Sequence, residues 1–229
     1  MSNIHFMGGE KGGVGKSLMA RVLAQYFIDH EIPFLGFDTD RSHGALLRFY
    51  RDYTSPVVID QYESLDSILE AASSDYDQRV LVDLAAQTQS ALTRWMEESD
   101  VLEVIQELGL SLRYWHVMDS GQDSVDLLRK LLDRFEDRLS YIVVLNQIRG
   151  EDFRILEQSG QKQRALEMGA EVIQLKHLHE PVMIKIDRNS SSFWHATQNG
   201  VEHEMGLMER QRVKRWLKNS YQEIDRLTV

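Results

Sequence analysis

The sequence predicts an α/β fold in which helices cover both faces of a mostly parallel central sheet. Short β-branched and aliphatic runs alternate with longer segments of helical periodicity along the chain. Strands this continuously apolar are typical of a parallel sheet that is buried on both faces. The alternation also predicts right-handed, doubly wound crossovers, with ligands bound beyond the carboxyl ends of the strands. We therefore expect the chemistry in the residues that follow each strand.

Each predicted strand is an apolar run, and each predicted helix is a longer amphipathic segment between two such runs. The strands are predicted at residues 3–7, 33–38, 55–60, 79–84, 112–119, 141–148 and 170–175. The helices are predicted at about 16–30, 64–73, 88–107, 121–137 and 161–168, with a long C-terminal helix at about 203–227.

The composition is that of an ordinary soluble protein, with 42% hydrophobic and 27% charged residues over 229 positions. We expect one domain that spans residues 1–229. No apolar run approaches the length of a membrane span, and the chain enters a strand without a basic leader, so we expect a cytoplasmic location. The absence of cysteine excludes disulfides, thiolate nucleophiles and cysteine-bound metal sites. A formal charge of −10 argues against a surface that binds DNA everywhere, although a local basic patch could still do so.

A glycine-rich segment, GGEKGGVGKS at residues 8–17, lies between the first predicted strand and the first predicted helix. Its glycines let backbone N–H groups close around oxyanions at the start of the helix. Lys16 then supplies a positive charge to the β and γ phosphates of a nucleotide, and Ser17 is placed to bind Mg²⁺. The standard phosphate-loop pattern G-x-x-x-x-G-K-[ST] would have glycine at position 10, where this chain has Glu10. The alternative to a phosphate-binding loop is a glycine-rich turn that serves only packing. The remaining predicted nucleotide contacts are Gly12, Gly13, Val14, Gly15 and Leu18.

This segment resembles the loop of the deviant Walker A ATPases of the MinD/ParA class, which reads x-K-G-G-x-G-K-[ST]. Residues 11–17 match that pattern completely. In the class, the first lysine reaches across a nucleotide-sandwich dimer to the phosphates bound by the partner. The resemblance implies this catalytic role for Lys11, together with an ATP-dependent homodimer. A cation from the partner would tie hydrolysis to dimerisation, because negative charge develops on the phosphoryl oxygens. A solvated loop lysine is the alternative.

Carboxylates follow two of the predicted strands. Asp38 and Asp40 stand in FLGFDTDRS, where one can hold a magnesium-bound water and the other can orient the attacking water. By resemblance to the D-x-D switch of the class, Asp38 takes the first role and Asp40 the second; turn or helix-capping roles are the alternative. Asp83 ends RVLVD and is the expected Walker B carboxylate of the magnesium shell, with strand capping as its alternative. Many relatives carry a glycine hinge soon after this aspartate, which residues 84–87 lack.

Asn146 ends the predicted strand YIVVLN, and its amide can both donate to and accept from a purine edge. Members of the class often carry an asparagine there for the adenine ring, and the guanine-selecting N-K-x-D pattern is absent. The resemblance therefore implies ATP rather than GTP, although an asparagine that merely satisfies a turn is the alternative. His177 and His179 have metal-like spacing but no third ligand, so we treat them as structural or solvated.

Three functions remain open at the level of the sequence. The first is a dimerising ATPase switch in which Mg-ATP bridges two subunits and slow, partner-stimulated hydrolysis resets the dimer. The order of motifs resembles small TraL-type or mobilisation-type ParA-like proteins, which implies a role in plasmid or DNA partitioning, conjugation or protein positioning. The second is an ATP-dependent ligase or synthetase related to the cobyrinate and dethiobiotin enzymes, which needs no lysine from a partner. The third is a nucleotide-binding partner subunit with little turnover.

The C-terminal segment predicts a helix that docks one apolar stripe on the sheet and leaves a basic face in solvent. The alternatives to a basic face that is only solvated are membrane contact, which the resemblance to MinD implies, and DNA contact, which the resemblance to ParA implies. A protein partner is also expected. The stripe consists of Val213, Leu217, Tyr221, Ile224 and Leu227, and the basic cluster of Arg210, Arg212, Lys214, Arg215 and Lys218.

Overall fold

The fold is taken from a computed structural model that describes residues 3–42, 44–199 and 205–227. The strands are β1 (Asn3–Gly8), β2 (Phe34–Asp38), β3 (Thr54–Pro56), β4 (Arg79–Asp83), β5 (Ser111–Met118), β6 (Ser140–Asn146) and β7 (Glu171–Leu175). The longer helices are α1 (Lys16–Asp29), α3 (Tyr62–Ser74), α4 (Gln89–Glu98), α6 (Gln122–Phe135), α9 (Glu180–Arg188) and α11 (Leu207–Ile224). The shorter ones are α2 (Ala45–Phe49), α5 (Val101–Glu107), α7 (Arg154–Gln158), α8 (Gln161–Glu167) and α10 (Phe193–Thr197).

The strands form one seven-stranded sheet in the order β3-β2-β4-β1-β5-β6-β7. Every pairing within the described chain is parallel. The N-terminal strand therefore lies at the centre, and β4 and β5 flank it. The predicted α/β fold, with a mostly parallel sheet and helices on both faces, is confirmed.

The two faces of the sheet have separate hydrophobic cores. Because successive strand residues point to opposite faces, Ile4 and Phe6 pack with α3 to α8, whereas Met7 packs with α1, α2 and α9 to α11. In β4, Val80 and Val82 lie on the first face and Leu81 lies on the second. The same alternation puts Asp83 on the face of α1, whose N-terminus follows the glycine-rich loop.

Several element boundaries differ from the sequence prediction. The predicted helix at 88–107 is two helices, because Asp100 adopts a left-handed backbone conformation with φ 47°. The third strand has three residues instead of the predicted run to residue 60, since the chain leaves the sheet after Pro56. Four helices, α2, α7, α9 and α10, were not predicted, because each offers too few turns for a clear periodicity.

The C-terminal helix docks as predicted. Val213, Leu217 and Ile224 are buried in the core on the α1 face, and the indole N–H of Trp216 donates to the Lys176 carbonyl at 2.6 Å. The helix runs over Leu207–Ile224, and positions 203 and 204 of the prediction lie outside the described residues. Its basic residues Arg212, Lys214, Arg215 and Lys218 are exposed. Among the helices that the structure describes, none has the length and apolar character that crossing a bilayer demands.

Candidate functional site

The candidate site is built around the loop that joins β1 to α1. Gly15 stands immediately before α1 with φ 96°, a left-handed conformation that side-chain-bearing residues rarely adopt. A Cβ at this position would lie 2.1 Å from Nδ2 of Asn146. The loop therefore requires glycine here both for its backbone conformation and for the close approach of β6.

Lys16 opens α1 and is almost fully buried. Its exposed fraction is 7%, and Nζ donates to the backbone carbonyl of Lys11 at 3.1 Å. Burial lowers the pKa of Lys16, while the charges of Asp83, Glu10 and Asp40 act in the opposite direction. The ammonium group is thus held beside several carboxylates at the start of a helix, where anions are also favoured by backbone N–H groups.

Asp83 carries a buried carboxylate that its surroundings leave incompletely paired. It is the register partner of Asp38 on the neighbouring strand, and Ser17 hydrogen-bonds to it. Burial, followed by the charge of Asp38, raises the pKa of Asp83 to about 8. Its Oδ1 has no hydrogen-bond partner within the described part of the chain. A cation at this oxygen would remove both the desolvation cost and the repulsion between the two carboxylates.

Asp38 and Asp40 both bind backbone N–H groups of the segment that follows β2. Oδ1 of Asp38 accepts the N–H of Asp40 at 2.9 Å, and its Oδ2 accepts the N–H of Leu47 at 3.0 Å. Burial raises the pKa of Asp38. Asp40 accepts the N–H of Ser42 at 2.9 Å. These contacts are those of turn-capping aspartates, which is the alternative role given above for both residues. They also fix both carboxylates beside Asp83 and Lys16.

Lys11 is not a solvated loop lysine. Its Nζ lies 3.3 Å from Oδ1 and 3.2 Å from Oδ2 of Asp119, and 3.7 Å from Oδ2 of Asp123. Burial alone would raise the pKa of Asp119, but hydrogen bonds from the Ser124 hydroxyl, the Gly121 N–H and Lys11 outweigh it and lower the pKa. Asp119 is therefore ionised at neutral pH and holds Lys11 in an ion pair within the same chain.

Asp119 is a site residue that the sequence did not reveal. It follows β5 directly, so the rule that places chemistry after each strand could have found it. Its side chain is fully buried, and Nη1 of Arg149 lies 3.2 Å from its Oδ2. Asp123 lies in the first turn of α6, with an exposed side chain. Neither residue stands in a recognisable motif, because their contact with Lys11 depends on how β5 and α6 are placed in the fold.

Asn146 contacts the glycine-rich loop itself. Its side chain is buried, and Nδ2 donates to the carbonyl of Val14 at 2.7 Å. The amide nitrogen is therefore engaged with the loop instead of being open to a purine. Leu18 lies partly buried in the first turn of α1. His177 and His179 are exposed, and the described residues hold no group of three or more potential acidic, histidine or cysteine metal ligands.

Replacing Gly15 by alanine is expected to cost more stability than the same change at an open left-handed glycine. Gly160 has φ 74°, and a methyl group added there would meet nothing within 4 Å, so Gly160→Ala measures the backbone strain alone, about 1 kcal/mol. Gly15→Ala adds the clash with Asn146 and should cost about 3 kcal/mol in all. Urea unfolding of both variants gives the two numbers. Equal costs would contradict the close packing of Asn146 on the loop.

The raised pKa of Asp83 has a definite pH signature. The folded state favours the protonated carboxyl, so stability is greatest below the ordinary carboxyl range and is lost as pH rises towards about 8. Asp83→Asn cannot ionise at this position, so its free energy of unfolding should exceed that of wild type by an amount that grows from about pH 5 to about pH 8. The measurement is made in EDTA to keep metal ions from the carboxylate. The exposed Asp60→Asn serves as the control. A pH-independent difference between Asp83→Asn and wild type would contradict the burial of this charge.

Comparisons with known proteins agree with the fold. No family model matches the chain. The chain is 26% identical to Protein MobD of Acidithiobacillus ferrooxidans over 164 residues, 71% of each chain. It is 29% identical to Protein TraL of Escherichia coli over 154 residues, 64% of each chain.

Among solved structures, the MinC:MinD cell division protein complex of Aquifex aeolicus matches with a TM-score of 0.54. The match has 14% sequence identity and covers 97% of each chain. At this identity the match establishes the fold alone. The resemblance inferred from the glycine-rich loop is thereby confirmed: the chain has the fold of MinD, and its sequence is similar to MobD and TraL, as expected of a MinD/ParA-class protein.

Proposed function

We propose that the chain is a nucleotide-dependent switch of the MinD/ParA kind that binds Mg-ATP, dimerises on it and is reset by slow hydrolysis. The observation that carries the proposal is the buried, incompletely paired Asp83 next to Ser17 and Lys16. A fully buried carboxylate with a free oxygen is costly unless a cation binds there during function. The place of this carboxylate, at the head of a phosphate-binding loop, supports magnesium bound together with a nucleotide.

The donor set fits magnesium. Mg²⁺ in nucleotide sites takes one or two carboxylates, a hydroxyl and phosphate oxygens, and does not need a cage of three protein carboxylates. Ser17 and Asp83 would hold the ion, and Asp38, the register partner of Asp83 on the neighbouring strand, would hold a water of its shell. The ion would supply positive charge to the phosphate oxygens. Lys16 and the N–H groups at the start of α1 would bind the remaining phosphate charge.

The remaining chemistry of hydrolysis is assigned to Lys11 and Asp40. Asp40 would orient the attacking water, and its contact with Ser42 holds the carboxylate in place. Lys11 would stabilise the phosphoryl charge from the partner subunit, as the resemblance implies. Asp119 holds Lys11 in the isolated subunit, so activity in the dimer requires Lys11 to leave Asp119. Dimerisation is thereby linked to the exchange of one ion pair for another.

The relatives support a process and a class of partner. Similarity to MobD and TraL supports a role in DNA partitioning or conjugation. The solved MinD neighbour is in complex with MinC, which supports a protein partner. Asn146, placed against the loop at the end of β6, would contact the adenine ring of ATP through its carbonyl oxygen. We propose that this switch acts in the cytoplasm and that DNA is a further partner. Membrane contact through α11 is less favoured, because the apolar stripe of that helix is packed in the core.

Solution mass and phosphate release, recorded in the same samples, test this proposal. Wild type should dimerise with ATP and Mg²⁺ but not with ADP. Lys16→Ala should lose nucleotide binding, because the buried charge at the loop is gone. Lys11→Ala should bind nucleotide as wild type does and release phosphate about a hundredfold more slowly, the usual effect of removing one charge-stabilising donor. Lys214→Ala, an exposed lysine of α11, should behave as wild type.

Two results would contradict the proposal. If Lys11→Ala hydrolyses ATP as fast as wild type and the solution mass of the protein is the same with ATP, with ADP and without nucleotide, the ligase or synthetase alternative is favoured. If wild type binds ATP without measurable phosphate release under any condition, the partner-subunit alternative is favoured.

A further inference from the structure

Glu10 joins the phosphate loop to the segment that follows Asp83. Its backbone carbonyl accepts the N–H of Gln87 at 3.4 Å, and its Oε1 accepts the N–H of Gln89 at 2.9 Å. Gln89 is the first residue of α4, so the Glu10 carboxylate caps this helix from a distant part of the chain and is favoured by the helix dipole. Thr88, which precedes the helix, donates its hydroxyl to the Ala85 carbonyl instead.

The segment after Asp83 is anchored at further points. The N–H of Leu84 donates to the Met7 carbonyl at 3.1 Å, and the N–H of Ala85 donates to Oγ1 of Thr39 at 2.8 Å. Gln87 adopts φ 63°, a left-handed conformation that a glycine would take without strain. The segment is therefore held between the phosphate loop and the residues after β2, in a conformation that its own sequence does not favour.

The charge of Glu10 acts on the same ammonium group that would bind the phosphates. Glu10 is one of the carboxylates whose charge stabilises the protonated Lys16 against its burial. A triphosphate at Lys16 would bring negative charge close to Glu10. Like charges in a partly buried site repel, so the phosphate and the Glu10 carboxylate would compete for this environment.

We infer that Glu10 is a positioning residue that makes the start of α4 respond to the third phosphate of the nucleotide. The inference rests on the proposed function. The charge of the third phosphate weakens the hydrogen bond between Glu10 and Gln89 and releases the start of α4, whereas ADP leaves it in place. The segment after Asp83 has no glycine hinge, and the charge of Glu10 takes the place of one.

Side chains further along α4 contact two other helices. Within α4, the indole N–H of Trp95 donates to Asp66 of α3 at 2.8 Å, and Glu97 pairs with Arg134 of α6. The N-terminus of α6 carries Asp123, which lies beside Lys11. The helix that begins at Gln89 therefore contacts both neighbouring helices on this face of the sheet.

Amide hydrogen exchange at residues 87–91 tests the inference in wild type, Glu10→Ala, Glu10→Gln and the exposed control Glu103→Gln. Each protein is measured without nucleotide, with ADP and with a non-hydrolysable ATP analogue, and binding is followed by calorimetry in the same samples. Glu10→Ala removes the acceptor, so exchange should be about tenfold faster in all three conditions. Glu10→Gln keeps an acceptor but removes the charge, so exchange should stay slow even with the analogue. Wild type and Glu103→Gln should exchange slowly without nucleotide and with ADP, and about tenfold faster with the analogue.

Each contrary outcome has a separate meaning. Unchanged exchange in nucleotide-free Glu10→Ala would overturn the link between Glu10 and α4 without touching the proposed function. Equal exchange of wild type with bound ADP and with bound analogue, or a Glu10→Gln response like that of wild type, would overturn the role of charge. Failure of both nucleotides to bind wild type would overturn the proposed function and this inference with it.

Discussion

The candidate site depends on one buried positive charge, the ammonium group of Lys16 at the start of α1. Burial disfavours this charge and lowers the pKa of Lys16, and the charges of Asp83, Glu10 and Asp40 offset part of that effect. Each of these carboxylates comes from a different segment at the carboxyl end of the sheet. Their positions are fixed by strand register, by backbone N–H groups and by the glycine-rich loop, so the fold and the electrostatics of the site are two descriptions of one arrangement.

Two buried acidic groups lie next to each other at this site. Asp83 and Asp38 are register partners on one face of the sheet, and burial raises the pKa of both. A divalent cation with a polyphosphate would satisfy Asp83 and Lys16 together, which is the reason for proposing Mg-ATP as the ligand of this site. The ion pair between Lys11 and Asp119 is a second constraint on the proposed switch, because it engages the lysine that the site of the partner subunit would need.

The sequence was sufficient for the parts of the molecule that follow local rules. Continuous apolar runs and the glycine-rich loop predicted the parallel sheet, the start of α1 and the positions of Lys16, Ser17 and Asp83. Contacts between distant segments cannot be predicted from the sequence. Examples are the contacts of Lys11 with Asp119, Glu10 with Gln89, and Asn146 with Val14. Each requires knowing which strands are neighbours. The break at Asp100 was also missed, because its left-handed backbone has no counterpart in hydrophobic periodicity.

The proposed switch requires that Lys11 leaves Asp119 and acts on the phosphates of a second subunit. Mixing the two impaired variants Lys11→Ala and Asp40→Ala tests this, since a mixed dimer would contain one site with an intact Asp40 that receives Lys11 from the partner. We predict that phosphate release recovers on mixing to about a quarter of the wild-type rate per subunit, because half of the dimers are mixed and one site in each is complete. If the mixture forms dimers with ATP and Mg²⁺ but releases phosphate no faster than the two variants do alone, Lys11 acts within its own subunit and the proposed switch is contradicted.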